Sequence, residues 1–142
     1  MTSDNTVQIR EAMEAWSQAI RDKDAGAALR HYTDDVVTFD LAPPLKSTGM
    51  SEKGLQQWFD TWRGPIGYDT ADLDITCSGE LAFARCLNRI SGEKVDGKKE
   101  SVWVRSTVCF HHVAGAWKVM HVHSSVPFYM DGSLKAAVDL NP

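Results

Sequence analysis

The sequence predicts an α+β domain, helices first and an antiparallel sheet after them. Three observations carry this. Apolar residues recur at spacings of three and four in the first part of the chain, and the period switches to two from about residue 71 onward. Turn signals then punctuate the chain at hairpin intervals: Ser78-Gly79, Asp96-Gly97 and Ala114-Gly115. Strands and helices do not alternate, which argues against a doubly wound parallel sheet.

The first helix is expected over Ser3 to Asp22, with Ile9, Met13, Trp16 and Ile20 on one stripe widened by Ala12 and Ala19. Ser3 or Asp4 can cap it, and Asp24 can cap a second, short helix over Ala25 to Tyr32. Asp34-Asp35 breaks that pattern, and the β-branched, aromatic run Val36 to Phe39 reads as a strand. Pro43-Pro44 makes Leu41 to Gly49 a loop. A third helix carries Leu55, Trp58, Phe59 and Trp62 on one face and is stopped by Gly64-Pro65. Strands follow at Ala71 to Cys77, Leu81 to Ile90, Ser101 to His112 and Trp117 to Ser125, and the Lys-rich connection Gly92 to Glu100 is a solvated turn.

The chain of 142 residues fits one domain, 1–142, with a core over about 5–128 and a tail over 129–142. Its composition is 43% apolar, 24% charged and 9% aromatic, so it folds rather than staying disordered. A net charge of −4 without a basic cluster speaks against nucleic acid and anionic membranes as partners. No apolar run approaches the roughly 20 residues of a bilayer span. The polar start Met1 to Arg10 does not read as a secretory signal, so the expected location is cytoplasmic. Cys77, Cys86 and Cys109 sit in apolar strand patterns without CxxC spacing and read as buried small hydrophobes.

In the last hairpin, a three-residue loop Val113-Ala114-Gly115 would pair His112 with Ala116. Val102, Val104, Ser106, Val108 and Phe110 would then share an inner face with Met120, Val122, Ser124 and Val126. The outer face would carry Trp103, Arg105, Thr107, Cys109, His111, Trp117, Val119, His121 and His123. Such a mixed aromatic and basic surface suits a subunit interface, so a homodimer is expected through it. A two-residue turn would shift the register by one and exchange partners between faces. Four of the five histidines fall within residues 111–123, but Arg105 opposite His123 would repel a cation and no acidic group completes a tetrahedral set. No metal and no cofactor is expected.

The run Tyr32-Thr33-Asp34-Asp35-Val36-Val37-Thr38-Phe39-Asp40, followed by Gly49 and Trp58, resembles the front half of ketosteroid isomerase-like proteins. Ala82-Phe83-Ala84 and the ending Gly115 to Phe128 (G-A-W-K-V-M-H-V-H-S-S-V-P-F) are similar to SnoaL-like domains, and the ending also resembles the calcium/calmodulin-dependent kinase II association domain. All three belong to the nuclear transport factor 2-like superfamily, and the resemblance spans about Val7 to Phe128. It implies a cystatin-like cone: three N-terminal helices capping a curved antiparallel sheet, with a pocket between them and a dimer through the sheet.

The resemblance also places Asp40 where the isomerases hold the carboxylate that shuttles a proton. Trp16 stands at the position of their oxyanion-binding tyrosine, offering an N–H but no acidic hydroxyl. Tyr32 matches an aromatic that supports the pocket. The family's second oxyanion acid has no counterpart between Val104 and Val108. Asn88 and Ser124 align with arginines of the kinase domain's pocket, so that cationic pocket is not reproduced. The expected site is therefore Asp40 facing a mostly apolar cavity lined by Trp16, Tyr32, Phe39, Trp58, Trp62, Asn88, Ser106 and Ser124. Two readings stand side by side: an isomerase- or cyclase-type enzyme moving a proton on a small apolar or carbonyl-containing molecule, and a non-catalytic ligand-binding or dimerisation module. Asp40 as a plain loop cap before Pro43 stays open beside both.

Overall fold

The structure, a computed structural model, describes residues 2–142. Three helices, α1 (Thr2–Arg21), α2 (Ala25–Leu29) and α3 (Glu52–Phe59), lie with six strands: β1 (Tyr32–Phe39), β2 (Ser47–Thr48), β3 (Trp62–Ser78), β4 (Leu81–Lys94), β5 (Lys99–Val113) and β6 (Ala116–Ser125). The strands form one curved, open sheet in the order β2-β1-β6-β5-β4-β3. Neighbours are antiparallel except β1 and β6, which run parallel and make the sheet mixed. No helix among the described residues is long and apolar enough to cross a membrane.

Helix α1 buries the stripe its period dictates, with Ile9, Met13, Trp16, Ala19 and Ile20 all sealed against the sheet. The Ser3 cap lies outside the described side chains, and Asp4 falls inside the first turn instead of ahead of it. Lys23, with φ at 57°, ends the run and donates from Nζ to the carbonyls of Trp62 (2.9 Å) and Gly64 (3.1 Å), tying α1 to the start of β3. Asp24 caps α2 by accepting from the Ala27 amide at 3.0 Å, and Ser51 caps α3 through the Gly54 amide at 2.9 Å.

Several boundaries differ from expectation, among them β2 inside the expected loop 41–49 and the ends of β4 and β5, which run into the connection 92–100. Helix α2 stops at Leu29, so Tyr32 opens β1 instead of closing a helix. Helix α3 stops at Phe59, and Trp62 opens β3. Strand β3 begins before Gly64-Pro65, which does not end an element after all. Because β3 is an edge strand, the missing N–H of Pro65 costs no ladder bond, and the register jumps from Arg63↔Glu93 to Gly67↔Ser91 to pass over it. A second irregularity between Ala71 and Asp74 holds Asp72 at φ 55° and moves the inward positions from Tyr68 and Thr70 to Leu73, Ile75 and Cys77. Such bulges bend the long β3–β4 ribbon.

The last hairpin turns on two residues, Ala114 (φ 52°) and Gly115 (φ 82°), pairing Val113 with Ala116 and Phe110 with Val119. The three-residue loop is thereby corrected. Met120 has no partner, and beyond it the register steps to Cys109↔His121, Val108↔Val122 and Ser106↔Ser124. The single extra residue makes the strand change phase. Trp117 and Val119, expected outside, are sealed on the inner face, while Met120, expected inside, is exposed. Below the bulge the even-numbered residues face inward as expected.

Candidate functional site

The strands that lean over α1 bring together a polar group of side chains inside an otherwise apolar face. Thr38, Asn88 and Ser106 are buried, with Ser124 half-buried beside them. The Oγ atoms of Ser106 and Ser124 lie 3.3 Å apart across β5 and β6. Asn88 donates from Nδ2 to Thr70 Oγ1 at 2.9 Å, and the Cys86 thiol lies 3.5 Å from Asn88 Oδ1. Burial pushes that thiol up to about 11, so it stays a neutral, inert filler.

From α1, Trp16 donates its indole N–H to the Tyr32 hydroxyl at 3.1 Å, the rings meeting edge to face at 5.5 Å. The bond uses the Tyr32 oxygen as acceptor, and no described residue accepts the phenol's own proton. Burial holds Tyr32 well above the ordinary phenol range, against the opposing pull of the Trp16 bond, with the charges of Tyr68 and Asp40 adding to the rise. Tyr68, on β3, is held up in the same way, chiefly by burial. Both are thus neutral donors at any physiological pH.

Asp40 follows β1 and is exposed, its carboxylate accepting from Thr38 Oγ1 at 3.2 Å. The Asp40 carboxylate reaches back toward Thr38, which is inward and 2% exposed. Phe39, expected in the interior, points the other way: its ring stands edge-on to His121 (4.8 Å) and His123 (5.3 Å) on the outer face. Phe39 and Asp40 meet again at the rim of an open cleft of about 700 Å³, walled by the Leu41 to Lys46 loop and His123 to Val126. Trp58 and Trp62 are taken up in packing, 6.3 Å apart edge to face, with Phe59 behind Trp58 and Lys94 Nζ 4.0 Å over the Trp62 ring.

The outer face carries Trp103 beneath Arg89, Arg105 donating to Ser125 Oγ (3.2 Å), Thr107, His111 and the two histidines beside Phe39. His121 Nδ1 lies 2.7 Å from the Val37 carbonyl, which makes Nδ1 the protonated nitrogen. Trp117 is not part of this surface, for the change of phase described above turns it inward. Leu81 and Phe83, both exposed, join it instead. Among the described residues no group of three or more His, Cys, Asp or Glu is placed to hold a metal ion.

Sequence reasoning placed Trp16, Tyr32, Asn88, Ser106 and Ser124 on the side they occupy. It missed Tyr68, Thr38 and Thr70. The alternation Ile66, Tyr68, Thr70 was the available signal, hidden behind Gly64-Pro65.

A helix-capped, curved mixed sheet whose inner face mixes aromatic rings with a few hydroxyls defines a class of α+β domain. The chain belongs to the SnoaL-like domain family, whose sequence profile matches residues 9–129. An NTF2-like protein of unknown function from Pseudomonas putida KT2440 is 33% identical, with 100% of this chain and 99% of that one covered at a TM-score of 0.89. The association domain of C. elegans CaMKII is 16% identical over 87% of this chain and 96% of that one, TM-score 0.71. A ketosteroid isomerase-like protein from Erwinia carotovora atroseptica is 20% identical over 84% and 93%, TM-score 0.68. No curated protein matches the chain. At such identities the last two likenesses concern the fold alone.

Proposed function

We propose that the chain binds a small, mostly apolar carbonyl compound between α1 and the sheet, and that Asp40 moves a proton on it. The observation that carries this reading is the Tyr32 hydroxyl: its oxygen accepts from Trp16 at 3.1 Å, and no described residue takes its own proton. A base and a neutral donor on one side of the sheet are the two parts that proton abstraction next to a carbonyl needs, the donor taking up charge as it develops on oxygen. Trp16 polarises the phenol by donating to it, which strengthens the phenol as a donor. The missing second acid of the isomerases then matters less, because Tyr32 supplies a donor where residue 16 has none to spare.

The test is hydrogen–deuterium exchange at the acidic carbon of a cyclic ketone such as tetralone, followed by NMR. The protein is expected to accelerate exchange, and Asp40→Asn to lower that acceleration roughly a hundredfold or more with the fold intact. Exchange that is unaffected by Asp40→Asn overturns the role of Asp40. The exposure of Asp40 and its bond to Thr38 favour a second reading, a non-catalytic binding module, for which the ketone binds and the wild-type protein exchanges nothing.

The partner of the outer face is a second copy of the chain. Arg85–Asp74 (2.9 Å) and Arg89–Asp69 (2.8 Å) neutralise their own charges there, leaving Leu81 and Phe83 as exposed apolar surface beside the half-buried Trp103. Light scattering at micromolar concentration is expected to return twice the mass of the chain. A monomer overturns the dimer.

A further inference from the structure

Two hollows meet at the end of β6. The open cleft of about 700 Å³ and a smaller recess of about 380 Å³ on the outer face share His123 and Ser125, so they adjoin along one groove. Its halves differ in chemistry. The cleft half is walled mainly by Phe39, Leu41, Pro43, Pro44, Leu45 and Val126, and its two charged side chains, Asp40 and Lys46, offset each other. Leu45 is 97% exposed, an apolar surface with nothing over it. The recess half is polar. The register sets Arg85, Thr107 and His123 in one row across β4, β5 and β6, and Leu87, Arg105 and Ser125 in the next. Arg85 is spent on Asp74 at 2.9 Å. Arg105 is held differently. Its Nε donates to Ser125 Oγ at 3.2 Å, which fixes the guanidinium plane, and among the described residues no carboxylate pairs with it. Asp72, also on the recess, forms no ion pair with either arginine.

We propose that this groove binds a small amphiphilic carboxylate, its head on Arg105 and its apolar tail in the cleft. With Nε engaged, the two Nη atoms of Arg105 are left to meet both oxygens of a carboxylate, the fork geometry that guanidinium groups favour. The Thr107 hydroxyl, one row away, and the Ser125 hydroxyl, which accepts from Arg105 and keeps its own proton, add neutral donors. One uncommitted positive charge suits a monoanion. A phosphate dianion would bring a second negative charge beside Asp72 with no cation to meet it. The cleft half has no net charge to hold the head, so the molecule lies with its tail there, covering Leu41 and Leu45. This site is separate from the inner-face site proposed above, because Arg105, Thr107 and His123 stand on the other side of the sheet. It lies one row from Phe83 and one from Trp103, and its apolar half runs past the end of β1. Under a second copy of the chain Arg105 would need a counter-charge, and the bound carboxylate supplies it.

The probes are octanoate and octanol, titrated into isotope-labelled protein and followed by amide NMR. The tails are alike and only the charge of the head differs. Amide shifts are expected in residues 41–46, 105–107 and 123–126, with octanoate bound about tenfold more tightly than octanol. Arg105→Gln is expected to remove that tenfold and leave octanol unchanged, which also reports that the cleft is intact. Thr107→Glu sets a competing carboxylate in the recess at an exposed position. It is expected to have the same effect and serves should Arg105→Gln fail to fold. Equal binding of the two probes, a preference that survives both substitutions, or shifts centred on the inner residues Asn88, Val104 and Ser106 overturns the proposal. So does the absence of any binding. None of these outcomes touches the proton-transfer reading, whose own test uses a neutral ketone.

Discussion

Phe110→Ala is expected to lower the unfolding free energy by about 3–5 kcal/mol. Phe110 is 1% exposed, stands on β5 between Ala82 of β4 and Val119 of β6, and joins the core that α1 closes. The neighbours that could collapse into the void are constrained from two directions. Ala82 and Ala84 are already small, and Val119 is fixed by its amide N–H, which donates to the His31 carbonyl at 2.7 Å. A site that cannot relax keeps its cavity, and the cost then lies toward the upper part of the range. Urea unfolding with an unchanged m-value measures it, and for a domain of this size the melting temperature should fall by roughly ten degrees or more. A loss under about 1 kcal/mol would mean that the interior is far looser than these contacts imply.

Gly92→Ala is the second large effect, and its cause is the backbone. Gly92 holds φ at 147°, and a Cβ there would come within 3.1 and 3.2 Å of the Trp62 ring and 3.4 Å of the Pro65 carbonyl oxygen. Strain at that φ and the forced shift of Trp62 each cost about 1–3 kcal/mol, so a total of about 2–6 kcal/mol is expected. Gly97→Ala is the control. Gly97 also has positive φ (88°), but nothing lies within 4 Å of its would-be Cβ, so only the backbone part is left. Chemical denaturation of the pair separates the two contributions, and equal losses would assign the whole effect of Gly92 to its dihedral angle.

Element type was legible wherever one period ran uninterrupted. The stripe Ile9, Met13, Trp16, Ile20 and the even-numbered inward positions of β4 and β5 follow directly from spacing. What escaped were the places where one residue changes the phase. Met120 is an ordinary apolar residue in a strand, and nothing in its identity announces a bulge, yet it decides that Trp117 packs inside. Trp62 and Tyr32 read as helical from spacing because aromatic residues just past a helix end extend its apolar stripe by accident. Tyr68 lay behind a Gly-Pro pair that ends most strands but is harmless on a sheet edge. Asp40 was legible only by resemblance, since a carboxylate after a strand looks the same whether it caps a loop or faces a ligand. For Phe39, adjacent to it, alternation with the inward Val36 and Thr38 is enough to put it on the outer face.

Strand β1 lies between β2 and β6, and that position sets an order of events during synthesis. β1 leaves the ribosome when its early sheet partner, the two-residue β2, is yet to come and offers only two register pairs, while its other edge waits for the last strand made. β3, β4 and β5 pair with their sequence neighbours as each emerges, so the meander can zip in step with translation. Helix α1, which packs chiefly on β3, can follow it, but β1 cannot. Val36 and Thr38 are sealed only when Val119, His121 and Val122 arrive, and until then the Trp16–Tyr32 bond has no wall behind it. The arrival of β6 is thus the committing step. A nascent chain stalled just short of it holds an assembled ribbon and an unpaired β1 edge, the part in which a chaperone would find the most to hold.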